Sequence, residues 1–214
     1  MTTGIPPLSA RGPYVYVVSH VVRAVASDAI AEHLDSLWQL YCMAYDPLAS
    51  ALPTREHLSR SEFDRLLRDH ECTSFVAWID DVPVGLCPVT RGMQATRYVS
   101  ERFFDVRYPE QKANQKLYYL VFLVVHPGHT QRRVVNSLAD LILPRMIEED
   151  ATLVFDSYRL RQKTNERGFA AMMQRLARSA GSDAIVKPVV QRSLFAIDMA
   201  ELNPQDDRVD EVAR

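Results

Sequence analysis

The sequence has few of the residues that define several large classes of protein. It contains 3 cysteines, Cys42, Cys72 and Cys87, and no Cys-x-x-Cys pair, so neither a disulfide framework nor a cysteine zinc site is indicated. Buried, unpaired thiols are the simplest interpretation, and these are typical of a reducing compartment. We therefore expect a cytoplasmic protein.

The sequence also lacks an excess of one charge and a long apolar run. Lys and Arg total 25 against 27 Asp and Glu, a net charge of -2, which gives no electrostatic case for nucleic acid or an anionic membrane as partner. No apolar stretch is long enough to span a bilayer. The apolar run of residues 14–25 has only Arg11 as a basic flank and is interrupted by polar residues, so it predicts a strand and not a signal peptide.

What the sequence does contain is enough apolar material for one domain. It has 214 residues, of which 47% are hydrophobic, as is ordinary for a single globular domain. Residues 1–13 include three prolines and two glycines and predict a flexible arm, while residues 203–214 are mostly polar and predict a tail. No linker or repeat interrupts the rest, so a single domain over residues 14–202 is predicted.

Strand and helix patterns alternate along this domain. A β-branched run over residues 15–25 predicts a strand, and apolar residues at helical spacing predict a helix that is capped by Ser27-Asp28 and ends at Pro47. A second helix is predicted from Thr54. The later predicted elements are a hairpin over residues 75–87 with its turn at Asp81-Val82, a buried strand over residues 117–125, a helix from about Thr130, a buried strand over Thr152–Phe155, a helix capped by Thr164, and two strands within residues 185–199. This order predicts an α/β (α+β) domain of three layers around a mixed sheet.

The same order, over about residues 14–200, resembles the GNAT superfamily of acyltransferases. The run Asp80-Asp81-Val82-Pro83-Val84-Gly85 is similar to the turn between the family's second and third strands, and Leu123-Val124-Val125-His126-Pro127 is similar to its fourth strand and terminal proline. The resemblance implies a mostly antiparallel sheet that is splayed between the fourth and fifth strands. It also implies acetyl-CoA or another acyl-CoA as cosubstrate, and a small molecule or peptide with an amine as acceptor.

In the family, a glycine-bearing loop of the form Arg/Gln-x-x-Gly-x-Gly/Ala follows that proline and holds the pyrophosphate of coenzyme A at a helix N-terminus, where glycine lets the backbone approach the anion. Counted from Pro127, both glycine positions are lost, to Arg133 and Val135. Arg132 and Arg133 offer charge-assisted contacts to phosphate instead. The resemblance thus implies the following cofactor-binding residues: Leu123, Val124, Val125, Thr130, Gln131, Arg132, Arg133, Val134, Val135 and Asn165.

A second family motif, an Asn followed by a helix with a proton-donating Tyr, resembles the run from Asn165 to Met172. Methionine stands on the Tyr position and cannot donate a proton. Tyr158 is the predicted substitute as general acid, and His126 or His129 the predicted base; a structural tyrosine and a loop histidine without chemistry are the alternatives. No further metal ligands accompany the two histidines, so no metal site is predicted.

The polar segment of residues 91–116 is longer than an ordinary hairpin loop. The run Ser100-Glu-Arg-Phe-Phe104 predicts a short amphipathic helix within it. A lid or substrate-binding element, a satellite helix that completes the core, and a contact between two copies in a homodimer are the open alternatives for this segment.

Three functions stay open at this point. The first is an N-acyltransferase that moves an acyl group, in the first instance acetyl, from acyl-CoA to an amine. The second is a catalytically inactive scaffold that acts as a binding or regulatory module, which the missing glycines and the missing tyrosine favour. The third is an enzyme similar to the N-acyl amino acid or acyl-homoserine lactone synthases, which take the acyl chain from a carrier protein.

Overall fold

The structure is a computed structural model, and it describes residues 20–51, 57–95, 100–129, 131–156, 168–183 and 185–188, with the side chains of residues 46–51, 131 and 132 left aside. The predicted arm of residues 1–13 and tail of residues 203–214 lie outside these ranges. So do Thr54, Thr130, Tyr158, Thr164 and Asn165. Residues 185–188 carry no strand, and the rest of the predicted pair of C-terminal strands lies outside the described residues.

The described strands form one mixed sheet. They are β1 (Val21–Val25), β2 (Cys72–Ile79), β3 (Val82–Thr90), β4 (Leu117–Leu120), β5 (Val124–Val125) and β6 (Thr152–Phe155). Their order is β1-β2-β3-β4-β6, with β5 also beside β3. Every pairing is antiparallel except that of β4 with β6, which is parallel. The predicted fold class, a mixed and mostly antiparallel sheet in an α/β domain, is confirmed.

The helices cover both faces of the sheet. They are α1 (Leu34–Ala51), α2 (Arg60–Leu67), α3 (Glu101–Arg107), α4 (Pro109–Ala113), α5 (Gln131–Glu148) and α6 (Phe169–Ser179). One buried cluster joins α1 and α2 to one face, and a second joins α5 and α6 to the other. We call these the α1–α2 cluster and the α5–α6 cluster. The domain therefore has the three predicted layers.

The hairpin turn lies one residue earlier than predicted. Asp80 and Asp81 have φ angles of 47° and 61°, and β3 already begins at Val82. A two-residue hairpin turn that matches the strand twist requires positive φ at both central residues, and aspartate tolerates this conformation. Val82 is β-branched and would be strained there, so the prediction of a turn at Asp81-Val82 is wrong.

Two predicted helix boundaries and the predicted burial of one strand are also wrong. Helix α1 opens through a 3₁₀ turn at Ile30–His33 and continues past Pro47 to Ala51. A proline within a helix removes one hydrogen bond and crowds the preceding turn, which costs about 3 kcal/mol but does not always end the helix. Helix α6 has Gly168 as its N-cap and not Thr164. Strand β6 is half-buried along its length and not fully buried as predicted.

Helix α2 starts at a capping box that the sequence analysis missed. The Glu62 N–H donates to Ser59 Oγ at 3.4 Å, and the Ser59 N–H donates to Glu62 Oε2 at 2.8 Å. This reciprocal pair satisfies two backbone donors at the helix start. The Ser-x-x-Glu spacing is visible in the sequence and would have placed the start of α2 correctly.

Helix α5 lies close to the sheet because Gly85 has no side chain. A Cβ built on Gly85 would lie 2.5 Å from Cγ1 of Val134 and within 3.4 Å of Ala77 and Leu138. All three neighbours belong to the buried α5–α6 cluster. Gly85 therefore sets the distance between β3 and the N-terminal half of α5.

Candidate functional site

A bulge interrupts the middle strand of the sheet. Phe122 and Leu123 lie together opposite the single residue Cys87 of β3, because the pairs on either side are Val121 with Pro88 and Val124 with Leu86. Such an extra residue bends a strand and breaks its ladder. As a result the consecutive residues Val121 and Phe122 both pack on the α1–α2 cluster. The predicted single strand over residues 117–125 is corrected to two strands, β4 and β5.

Beyond the bulge, no pairing joins β5 and β6 in the part of the chain that the structure describes. Strand β6 pairs with β4 from Leu117 opposite Thr152 to Leu120 opposite Phe155. Strand β5 continues the line of β4 but, among the described residues, pairs only with β3. We call the gap that begins after the Leu120–Phe155 pair, between β5 and the end of β6, the fork. In the described residues this gap corresponds to the expected splay, which in the labels used here lies between β5 and β6.

The register decides which backbone groups of β5 face the fork. The His126 N–H donates to the Val84 carbonyl at 2.9 Å. Bonded positions recur at every second residue of an antiparallel ladder, so Val124 is bonded to β3 as well. The intervening Val125, like Leu123, therefore directs its N–H away from β3 and toward the fork. Donors fixed in this way can stabilise negative charge that develops on a carbonyl oxygen.

Helix α5 begins a short turn after β5, at Gln131. The turn is closed by the His129 N–H, which donates to the His126 carbonyl at 3.0 Å. The first amides of a helix have no partner within it and carry the positive end of its dipole, so this position favours an anion. The fork and an anion-attracting helix start are thus neighbours along the chain.

Arg133 and Val135, which stand on the positions where the resemblance expects glycine, differ in where their side chains lie. Arg133 is exposed to solvent. Val135 is 8% exposed and packs, with Val134, in the α5–α6 cluster. The Val135 side chain therefore fills core space and does not project into the solvent beside the helix start.

His126 lies at the end of β5 with one ring nitrogen occupied. Its Nδ1 accepts a hydrogen bond from the Gly128 N–H at 3.0 Å, and its ring meets the ring of His129 edge-on at 5.0 Å between centroids. A neutral imidazole that accepts at Nδ1 carries its proton on Nε2. Before Nδ1 can accept a proton from a substrate, the ring must lose its hydrogen bond from the Gly128 N–H.

The buried cysteines are thiols in this structure. Burial raises the pKa of Cys72 to about 12, with the charge of Asp69 as a second cause. Burial also raises the pKa of Cys87 well above its usual value. A thiol of this kind stays protonated at neutral pH and is a poor nucleophile. Cys87, although it lies opposite the bulge, is therefore a core residue.

Helix α3 packs on the sheet beside the fork. Its Phe104 is 1% exposed and forms a small cluster with Met93, Leu117 and Tyr119. We call this the α3 cluster. The predicted short helix at residues 100–104 is thereby confirmed, and its buried phenylalanine favours the satellite-helix interpretation of residues 91–116.

One pair of polar residues at the fork was missed by the sequence analysis. Asp156 directly follows the last paired residue of β6, and its Oδ2 accepts a hydrogen bond from the hydroxyl of Tyr119. The signal in the sequence was an acidic residue at the carboxyl end of an apolar strand, which is where open α/β sheets bind ligands.

Most of the other predicted site residues lie outside the described part of the chain. Met172 is half-buried against the α5–α6 cluster, as expected of a core residue. Thr130, Tyr158 and Asn165, and the side chains of Gln131 and Arg132, lie outside the described residues.

In the described ranges no group of three or more His, Cys, Asp or Glu could hold a metal ion. No helix in the part of the chain that the structure describes is long and apolar enough to cross a membrane.

Comparisons with known proteins give structural likenesses alone. No family model and no curated protein matches the chain. An aminoglycoside acetyltransferase from an uncultured soil metagenomic sample, solved with sisomicin, is 14% identical with a TM-score of 0.49, over 84% of this chain and 97% of that one. Aminoglycoside acetyltransferase AAC(6')-Iy, solved with a CoA bisubstrate analog, is 13% identical with a TM-score of 0.46, over 83% and 99%. A ribosomal-protein-alanine N-acetyltransferase from Brucella melitensis is 14% identical with a TM-score of 0.42, over 85% and 100%. At these identities the likeness concerns the fold and leaves the reaction of this chain open.

Proposed function

We propose that this chain, whose fold is that of the GNAT acyltransferases, transfers an acyl group from acyl-CoA to an amine. The observation that supports this most is the fork. Adjacent strands that separate at their carboxyl ends form a crevice for a ligand, and here the start of α5 is next to that crevice. An acyl-CoA matches both features, because it has a thioester for the crevice and a pyrophosphate for the helix start.

The chemistry at the fork is direct attack of the amine on the thioester. The amine nitrogen bonds to the carbonyl carbon, the carbon–sulfur bond breaks, the nitrogen loses a proton and the thiolate of coenzyme A gains one. Negative charge on the carbonyl oxygen is stabilised by the N–H groups of Leu123 and Val125 that face the fork. No covalent enzyme intermediate is needed, which agrees with a buried, protonated Cys87.

The groups that donate and accept protons are also proposed. Tyr158 is the proposed general acid toward the thiolate. His126 is the proposed base, and it can act through Nδ1 only after it gives up its bond to Gly128. Thr130, Gln131 and Asn165 complete the proposed cofactor-binding set with the residues of β5 and the start of α5.

Acetyl is the proposed acyl group. The side chains beside the bulge are engaged in the core on both faces of the sheet, with Phe122 and Val124 in the α1–α2 cluster and Leu123 and Val125 against the α5–α6 cluster. This packing leaves little space for a long apolar chain, because protein cores are close-packed. It disfavours the alternative of a synthase that takes long acyl chains from a carrier protein.

Binding of acetyl-CoA should raise the melting temperature of the protein. Acetyl-CoA at 100 times its Kd stabilises the folded state by about 2.7 kcal/mol, which for a domain of this length corresponds to about 5–10 °C. The control ligand is an acetyl thioester of N-acetylcysteamine, which lacks the phosphates and should give no shift. An unchanged melting temperature in millimolar acetyl-CoA would contradict the proposed function.

Removal of the charges at the start of α5 should weaken that binding. The double variant Arg132→Ala/Arg133→Ala is expected to raise the Kd for acetyl-CoA at least about tenfold, because each charge-assisted contact to phosphate contributes about 1.5–3 kcal/mol. The control is Arg65→Ala/Arg68→Ala, which removes two exposed arginines from the end of α2. Equal affinity in both double variants, measured by calorimetry, would refute a contact with the pyrophosphate.

An inactive scaffold is the second candidate. It is favoured by the exposed Arg133 and the core position of Met172, which leave the family's glycine loop and tyrosine without direct replacements among the described residues. A protein of this kind binds acetyl-CoA or another ligand but releases no thiol from it with any amine. Thiol release measured beside the melting shift separates the two candidates.

A further inference from the structure

The carboxylate of Asp156 lies where the fork begins. Asp156 follows Phe155, the last residue of β6 that pairs with β4, and it is exposed to solvent. Its Oδ2 accepts the hydrogen bond from Tyr119. Among the described residues, Tyr119 is the one polar partner that Asp156 has, and no described group bonds to Oδ1.

Tyr119 fixes the position of that carboxylate. The ring is 3% exposed and is held in the α3 cluster by Met93, Phe104 and Leu117. A close-packed ring of this kind keeps one orientation, so its hydroxyl holds Asp156 at a defined place. In the described part of the chain no Lys, Arg or His forms an ion pair with this carboxylate. A fixed negative charge that no described cation neutralises, at the start of the fork, attracts a cation.

This carboxylate lies too far along the strands to contact the reacting atoms. Asp156 is level with the residue after Leu120, whereas the N–H groups that face the fork belong to Leu123 and Val125. A strand advances about 3.3 Å per residue, so these amides lie on the order of 10 Å from Asp156. An amine that attacks a carbonyl held by β5 is therefore out of reach of the carboxylate.

We propose that Asp156, positioned by Tyr119, binds a second and non-reacting ammonium group of the acceptor. The acceptor is then a diamine or polyamine whose reacting nitrogen lies on the order of 10 Å from a cationic one. This inference rests on the proposed acyl transfer. It names the class of acceptor for that reaction, and it separates binding of the acceptor from proton transfer at the thioester.

Diaminohexane and hexylamine make a matched pair of acceptors, because they differ only in the second amino group. With acetyl-CoA as donor and thiol release as readout, the wild-type protein should show a KM for diaminohexane at least about tenfold below that for hexylamine. Asp156→Asn should abolish this preference through KM with a smaller change in kcat. Tyr119→Phe keeps the charge of Asp156 but removes the hydrogen bond that positions it, and should raise KM for the diamine about threefold to tenfold.

Asp140→Asn is the control for net charge, since Asp140 is exposed on α5, and it should keep the preference. The proposal is overturned if the wild type treats the two amines alike, if Asp156→Asn retains the preference, or if the wild type acetylates neither amine although acetyl-CoA raises its melting temperature. The last result leaves acyl-CoA binding intact and removes only this acceptor class. Should Asp156→Asn fail to fold, a Tyr119→Phe variant with wild-type KM values would overturn the proposal on its own.

Discussion

Substitution of Val125 by proline should lower the rate of acetyl transfer about 100- to 1,000-fold, the loss seen when one donor of an oxyanion hole is removed. Proline lacks a backbone N–H. The N–H of Val125 faces the fork and is not bonded to β3, as the bond from His126 to Val84 requires. The substitution therefore removes a proposed catalytic donor without removing a hydrogen bond of the sheet.

The neighbouring substitution Val124→Pro is the matched control. The N–H of Val124 is bonded to β3, so its loss should lower the free energy of unfolding by about 1 kcal/mol or more. Val125→Pro should instead keep most of the stability and the melting shift with acetyl-CoA. If both variants lose stability alike, or if Val125→Pro transfers acetyl to diaminohexane at the wild-type rate, the assignment of this amide is wrong.

Gly85→Ala should destabilise the protein by about 1–3 kcal/mol, because the added methyl overpacks the contact between β3 and α5. The new Cβ would lie 2.5 Å from Cγ1 of Val134. Valine is stiff at χ1 and cannot swing away without an unfavourable rotamer. The helix must therefore move outward, which also shifts its start away from the fork and should weaken acetyl-CoA binding.

A double-mutant cycle with Val134→Ala isolates this contact. In the double variant the alanine at position 85 occupies space that the missing methyls of residue 134 leave, so its loss of stability should be smaller than the sum of the single losses by about 1 kcal/mol or more. Urea denaturation measures all four proteins. Additive losses, or a Gly85→Ala variant as stable as the wild type, would show that the helix is not held by this contact.

Much of the fold was predictable because buried apolar residues recur in the sequence at the period of a helix or a strand. Apolar spacing placed the strands over residues 75–87 and 152–155 and the helix that carries Val134, Val135 and Leu138. The same period accounts for Val135, which stands on a position where the resemblance expects glycine. It lies on the inward face of α5 with Val134, so its bulk is absorbed by the core.

Two boundary errors had signals in the sequence that were not used. The β-branched Val82 argued against a turn at Asp81-Val82, and the pair Ser59 and Glu62 matched a capping box. The bulge at Phe122 and Leu123, in contrast, had no signal in the sequence. An apolar run looks the same with or without an extra residue, and the bulge becomes visible only from the pairing with β3.

The sequence could have indicated Asp156 by its place at a strand end, but not its partnership with Tyr119. The two residues are 37 positions apart, and the parallel register of β4 with β6 alone brings them together. Each residue by itself has an ordinary interpretation, a core tyrosine and an exposed aspartate. Their chemistry arises from the register, which local patterns do not contain.

The infrared stretch of the thioester carbonyl in protein-bound, isotope-labelled acetyl-CoA tests the central claim most directly. If the thioester lies in the fork with its oxygen on the amides of β5, hydrogen bonding polarises the carbonyl, and its frequency should fall below that of free acetyl-CoA and return toward the free value in Val125→Pro. The measurement needs no acceptor and no turnover. A bound acetyl-CoA whose carbonyl keeps the frequency it has in water, or shifts equally in the wild type and in Val125→Pro, would contradict the account.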